Sequence, residues 1–143
     1  MKILIINGAN LNMTGKREPE IYGSETLDEI NGDIKSFADT KGVEVDFFQS
    51  NYEGAIIDTI HSAMGKYDGI VINPGAYTHY SYAIRDAISS VTVPAVEVHI
   101  SDIHAREEFR HTSVIAPVCI KQIYGMGKKG YMVAIEYLME KAN

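Results

Sequence analysis

Glu97 and His99 stand two apart in the run AVEVH, so on a strand they project to the same face. A carboxylate inside an otherwise apolar strand is costly to bury unless it is paired. The pairing expected is a hydrogen bond to a histidine ring, which fixes the ring's tautomer and raises its basicity. Its partner is either His99 or another histidine brought close by the fold; the plainer alternative is a structural ion pair at a strand end. Just beyond, HAREEFRHTS (104–113) packs two arginines and two histidines around two glutamates. Arg106 and Arg110 are spaced to share a helix face, one reaching a ligand while the other pairs with Glu107 or Glu108. On an ordinary surface helix such a run is a solvated charged face. Directly after a strand end, it overhangs a crevice instead. Asn73 and His79, in NPGAYTHY, add amide and imidazole groups. Asn, His, Ser, Tyr and Arg together suit hydrogen bonding to hydroxyls and a carboxylate.

Other chemistries fit poorly. GANLNMTG has the spacing of neither a Walker loop nor G-x-G-x-x-G, so a nucleotide-phosphate cradle is not expected. The ends of the first and third strands carry Asn7 and Asn73, where a response regulator needs acids. No lysine sits at a strand end within an apolar segment, which argues against a Schiff base, and there is no G-x-S-x-G elbow. His79, His99, His104 and His111 lack compact metal-ligand spacing and have no cysteine companions, so no metal is expected. Cys119 lies among apolar neighbours in PVCIK and reads as a buried, inert thiol.

These residues need elements to hold them. KILIIN, VEVDFFQ, GIVIN and AVEVH are short, β-rich apolar runs, and SVIAPV is expected to be a fifth strand. Between them, helical spacing covers Leu27, Ile30, Ile34, Phe37 and Ala38, capped by Thr26 and Glu29 and stopped at Gly42. It recurs from Ile56 towards Gly69 and over Tyr82–Val91, and GYMVAIEYLMEKA closes the chain. Strand and helix in alternation mean right-handed crossovers and a parallel sheet covered on both faces. The expected fold class is α/β, a flavodoxin-like doubly wound five-stranded parallel sheet in three layers, forming one catalytic domain over 1–143. Ligands bind such sheets outside the strands' carboxyl ends, at the topological switch point. One connection breaks the pattern. NGANLNMTGKREPEIYG, Asn7–Gly23, is several times longer than the usual run of about 2–6 residues, and it carries Arg17 and Tyr22.

Composition bounds the rest. The chain has 143 residues, 45% hydrophobic and 22% charged, with a net charge of −6. That charge argues against a nucleic-acid partner. Apolar runs of about five residues fall far short of the about 20 that span a membrane. With no secretory signal at the N-terminus and a single cysteine, a cytoplasmic location is expected.

The segments NGANLNMTGKREPEIYGSETL, FFQSNYEGAIID, GIVINPGAYTHYSYAIRDAI, VPAVEVHISDIHAREEFRHTSVIAPV and GMGKKGYMVAIEYL resemble the type II 3-dehydroquinate dehydratases, in order and over nearly the whole chain. The resemblance implies a flavodoxin-like fold and a cofactor-free hydro-lyase of the shikimate pathway, turning 3-dehydroquinate into 3-dehydroshikimate by anti elimination through an enolate. It also implies a homododecamer, a tetramer of trimers. Carried over by position, Tyr22 matches the catalytic base, Arg17 the group that activates it, and His99 the proton donor to the leaving hydroxyl. Glu97 matches the acidic partner of that histidine, and Asn10 the position that holds a water near the enolate oxygen. Asn73, His79, Arg110 and the backbone amides of Ile100 and Ser101 match substrate-binding positions; Asp86 matches a residue that reaches a neighbouring subunit's site. Ala9 replaces the family's usual Pro, Tyr52 a frequent His, and Tyr80 a smaller residue; none removes a catalytic group.

Two other readings compete: a non-catalytic binder of a small polyol acid or mononucleotide, and a metal-dependent hydrolase built on the histidines. Arg17 and Tyr22 separate the first from the dehydratase, because a pure binder needs no phenolate. The long connection then reads as a lid carrying the base, with Gly15 and Gly23 as hinges and 7–12 staying at the strand end. Without ligand, residues 14–23 are expected to show the fastest amide hydrogen exchange in the chain, slowing when ligand binds. Equal protection in both states would remove the lid while leaving the site residues in place.

Overall fold

The computed structural model describes residues 1–16 and 18–142, without the side chain of Tyr22. Arg17 and the Tyr22 side chain, both expected in the site, lie outside the described residues, as does Asn143. Five strands, β1 (Lys2–Asn7), β2 (Glu44–Gln49), β3 (Gly69–Asn73), β4 (Ala95–Val98) and β5 (Lys121–Ile123), form one sheet in the order β2-β1-β3-β4-β5. Every pairing is parallel. The helices are α1 (Pro19–Tyr22), α2 (Leu27–Thr40), α3 (Glu53–Ser62), α4 (Tyr82–Ser90) and α5 (Lys129–Ala142). This is the flavodoxin-like arrangement. None of the described helices is long and apolar enough to cross a membrane.

The continuous apolar strands are explained by burial on both sides. Ile3, Ile5, Val71, Val96 and Val98 pack against Ile30 and Ile34 of α2 and Tyr131, Ile135 and Leu138 of α5. The alternate residues Leu4, Ile6, Ile70, Ile72 and Ala95 pack against Ile56 and Ile60 of α3 and Ile84 and Ile88 of α4. The capping box at α2 is present: the Thr26 hydroxyl accepts from the Glu29 amide at 3.2 Å, and the Glu29 carboxylate accepts from the Thr26 amide at 3.2 Å.

Three expectations are corrected. Residues 113–118 are not the fifth strand; Ala116–Val118 form a 3₁₀ turn and β5 lies beyond them. Pro117 has no N–H to give a ladder, Ser113 is drawn to Glu97, and Ile115 is buried as a core plug rather than a strand residue. In β5 only Ile123 is buried, which leaves little pattern to read. Helix α3 stops at Ser62, well short of Gly69, and the chain turns through Gly65 at φ +77°. The arginine-rich segment forms two short 3₁₀ helices, Ile103–Ala105 and Glu108–His111, with Arg106 extended between them. Arg106 and Arg110 therefore share no helix face.

The switch point between β1 and β3 is closed by a tight approach of two turns. The Gly8 amide donates to the Asn73 carbonyl at 2.7 Å. A Cβ on Gly8 would come within 2.4 Å of the Pro74 carbonyl oxygen, and one on Gly75, at φ +66°, within 2.4 Å of the Ala9 carbonyl oxygen. Backbone atoms cannot yield as a flexible side chain can. Gly8→Ala is therefore expected to destabilise the fold by about 1–3 kcal/mol or more, the range for forced overpacking, measured by urea unfolding. Wild-type stability would mean that the two turns are free to separate.

Candidate active site

The ends of β1, β3 and β4 open on one cleft at this switch point. Asn10, Asn73, His79, His99, Ile100 and Ser101 line it, and Arg106 and Arg110 close its far wall. Asn10 holds a left-handed backbone, φ 69°, a conformation asparagine tolerates. Its amide donates to Asn51 Oδ1 at 2.9 Å, which ties the end of β1 to the segment after β2. The carbonyls of Ile100 and Ser101 accept from Gly127 and Gly125 at 3.1 and 3.0 Å. The first of these bonds sets the peptide plane that also carries the Ser101 N–H.

Glu97 lies behind the cleft wall, bonded to the lining residue His99. Glu97 has no solvent exposure. One carboxylate oxygen accepts from His99 Nε2 at 2.5 Å, Thr78 Oγ1 at 2.7 Å and Ser113 Oγ at 2.8 Å; the other lies 2.9 Å from Ser113 Oγ. Burial pushes the Glu97 pKa up, but the bond from His99, its charge, and the Thr78 and Ser113 hydroxyls outweigh it and hold the group below its ordinary value. The partner left open by the sequence is thus His99 itself. With Nε2 committed to Glu97, Nδ1 is the ring atom left for a ligand.

His79 is set differently. Its Nδ1 must donate to the Thr112 carbonyl, 2.8 Å away, so the neutral ring keeps Nε2 as an acceptor. Burial lowers its pKa; the Thr112 carbonyl opposes this, and the charges of His99 and Arg110 reinforce it. The cleft thus offers one imidazole backed by a carboxylate and one whose pKa is held down by burial. Arg110 Nε donates to Glu107 at 3.1 Å and its guanidinium lies 4.6 Å from the Phe109 ring centroid, while Arg106 donates to Ser101 Oγ at 3.4 Å. The single expected split of roles does not hold: the arginine paired with Glu107 also lines the cleft. In a chain of net charge −6, two guanidiniums at one cleft mark a place for an anion.

Asp86 is exposed on α4 and does not line its own chain's cleft. His104 packs against His111 and, edge-on, against Tyr124, and neither histidine lines the cleft with His79 and His99. Cys119 is half-buried, its thiol pushed up to about 12 by burial and then by the charge of Glu97. Sequence reasoning missed Thr78, Ser113 and Tyr131. The first two had a signal, since a buried carboxylate demands donors and both are hydroxyls beside candidate residues. Tyr131 had none.

The depressed pKa of Glu97 carries a sign. Its carboxylate adds stability that is complete above the ordinary value of 4.5 and is lost as pH falls through the lower folded value. Glu97→Gln turns an amide N–H₂ towards a set of donors. Urea unfolding is expected to find it less stable than wild type by about 1–3 kcal/mol at pH 7, the gap narrowing below pH 4.5. A gap independent of pH would mean that Glu97 is not ionised in the fold.

Comparison with known proteins agrees with this geometry. Residues 1–139 match the family Dehydroquinase class II. A 3-dehydroquinate dehydratase of Bacillus cereus (strain AH187) is 59% identical over 140 residues, 98% of this chain and 96% of that protein. One of Bacillus pumilus (strain SAFR-032) is 56% identical over 138 residues, 96% of this chain and 94% of that protein. The crystal structure of type II dehydroquinase from Butyrivibrio crossotus superposes with a TM-score of 0.95 at 57% identity, covering 97% of each chain. With its sheet order, its switch-point cleft and these likenesses over nearly its full length, the chain belongs to the class II dehydroquinases, the type II 3-dehydroquinate dehydratases, and is a hydro-lyase.

Proposed function

We propose that this chain removes water from 3-dehydroquinate by anti elimination through an enolate, with Tyr22 as base and His99 as acid. The observation that carries the reading is the buried Glu97–His99 pair set in a cleft walled by two arginines. The arginines favour the substrate's carboxylate, with Arg110 the one that binds it. A free tyrosine ionises near pH ~10. A guanidinium beside it lowers that by roughly 1–3 units, by analogy with carboxylates, so Arg17 makes the Tyr22 phenolate a usable base. The phenolate takes the proton next to the ketone. The carbon–hydroxyl bond breaks, and the hydroxide leaves as water with the proton held at His99 Nδ1. Glu97, bonded to Nε2, supports this by holding the ring with Nδ1 free for the leaving group.

Asn10 holds a water at the enolate oxygen, where each well-placed donor is worth on the order of 3 kcal/mol. Asn73, His79 and the N–H groups of Ile100 and Ser101 orient the ring hydroxyls and carboxylate. Closure of 14–23 brings Arg17 and Tyr22 over the substrate and excludes water. The same reading places Asp86 at a neighbouring subunit's cleft within a dodecamer of four trimers, in the cytoplasm. That Asp86 is exposed and does not line its own cleft supports that placement.

Turnover is followed by the ultraviolet absorbance of the conjugated enone as it forms, in the presence of a chelator. Tyr22→Phe is expected to lower kcat by about 10²–10⁴-fold with KM within a few-fold of wild type. Near-normal turnover by Tyr22→Phe would take the base away from Tyr22. Loss of wild-type turnover on chelation would point to a metal-dependent reaction.

A further inference from the structure

We propose that Tyr131 is a positioning residue for the cleft: its hydroxyl sets the side-chain amide of Asn73 so that an N–H, and not the carbonyl oxygen, faces the substrate. Tyr131 lies at the start of α5 with no solvent exposure. Its phenol donates to Asn7 Oδ1 at 2.6 Å. A phenol has one proton, so towards Asn73 it can only accept, and Asn73 Nδ2 donates to it at 3.1 Å. On the other side, the Gly75 amide donates to Asn73 Oδ1 at 3.1 Å. Both ends of the Asn73 amide are thereby assigned. Oδ1 is turned to the backbone of the β3 turn, and one N–H of Nδ2 remains for the cleft that Asn73 lines.

The consequence is a polarity code. Asn73 offers a donor, which matches an oxygen acceptor on the ligand. His79, with Nδ1 spent on Thr112, offers an acceptor, which matches a hydroxyl proton. A substrate carrying hydroxyl groups beside oxygen acceptors satisfies both; an analogue with the hydroxyl removed leaves His79 Nε2 unmet. Burial pushes the Tyr131 phenol above its ordinary pKa, so the proton that fixes this chain of bonds stays on the hydroxyl at neutral pH. Tyr131 is 58 residues from Asn73 and 124 from Asn7, and it joins β1, β3 and α5 under the cleft.

The inference rests on the dehydratase reading for its substrate, and a double-mutant cycle tests it. Tyr131→Phe keeps the ring and removes only the hydroxyl. It is expected to raise KM for 3-dehydroquinate about fivefold, as for loss of one well-oriented hydrogen bond, with kcat within twofold, because Asn73 binds ground and transition states alike. In an Asn73→Ala background the same change is expected to have no further effect on kcat/KM. Additive effects would mean that Tyr131 acts only through general stability, and would overturn the proposal. A second readout needs no turnover. In ¹⁵N-labelled protein the two Asn73 side-chain amide protons, assigned from Asn73→Ala, are expected to have well-separated shifts that converge in Tyr131→Phe; unchanged shifts overturn the proposal. Should Tyr131→Phe not fold, Asn7→Ala removes the acceptor that fixes the phenol proton and is expected to raise KM in the same sense, an unchanged KM again being fatal. Wild-type protein inert on 3-dehydroquinate would overturn the dehydratase reading and leave the amide resonances to judge Tyr131.

Discussion

A carboxylate with no exposure to water must be met by donors, and meeting them organises the active-site half of this molecule. Glu97 takes Thr78 from the turn after β3, Ser113 from the far end of the arginine segment, and His99 from just past its own strand. Each bond pulls a different piece of chain towards the end of β4. The Thr78 bond brings His79 to the cleft, and the Ser113 bond folds the arginine segment back so that Arg106 and Arg110 overhang it. A buried charge of this kind is poor evidence for added stability. Its value here is positional: it gives His99 one tautomer and one orientation.

The sheet supplies the place. Strand order reverses between β1 and β3, so their connections leave in opposite directions and a crevice opens between them. Gly8 and Gly75 let the two turns touch there, bringing Asn10 and Asn73 within reach of one ligand. The chain as a whole is acidic, yet Arg106, Arg110, His79 and His99 gather at this point. An anion approaching the surface is repelled by most of it and held at the cleft, which favours both selectivity and orientation.

The long first connection is held at both margins. Thr14 is buried and its hydroxyl donates to the Leu11 carbonyl at 2.6 Å. Gly15, at φ +86°, lies so close to the Glu25 backbone that a Cβ would come within 2.7 Å of its carbonyl oxygen. Lys128 then pairs with Glu25 at 2.8 Å and Asp33 at 2.6 Å, fastening the far margin to the start of α5. Gly15 and Glu25 thus lie side by side, so the chain leaves and returns at one place.

Sequence alone determined whatever depends on near neighbours or on burial from both sides. The four apolar strands, the α2 capping box and the same-face pairing of Glu97 with His99 are of this kind, because side-chain period and capping act over two to four residues. Motif resemblance extended that reading to the family and to Asn10, Asn73, His79, Ile100, Ser101 and Arg110 as occupants of one cleft, but it did not say how they are held. Tertiary structure decided the rest. β5 carries too little apolar pattern to announce itself, and Ile115, which carries more, fills the core from a turn. Arg106 and Arg110 have helical spacing but are bent apart because Ser113 must reach Glu97. Thr78, Ser113 and Tyr131 become site residues only through partners 16 to 124 positions away. A hydrogen bond over such a distance leaves no period in the sequence; it exists only once the sheet has brought both ends together.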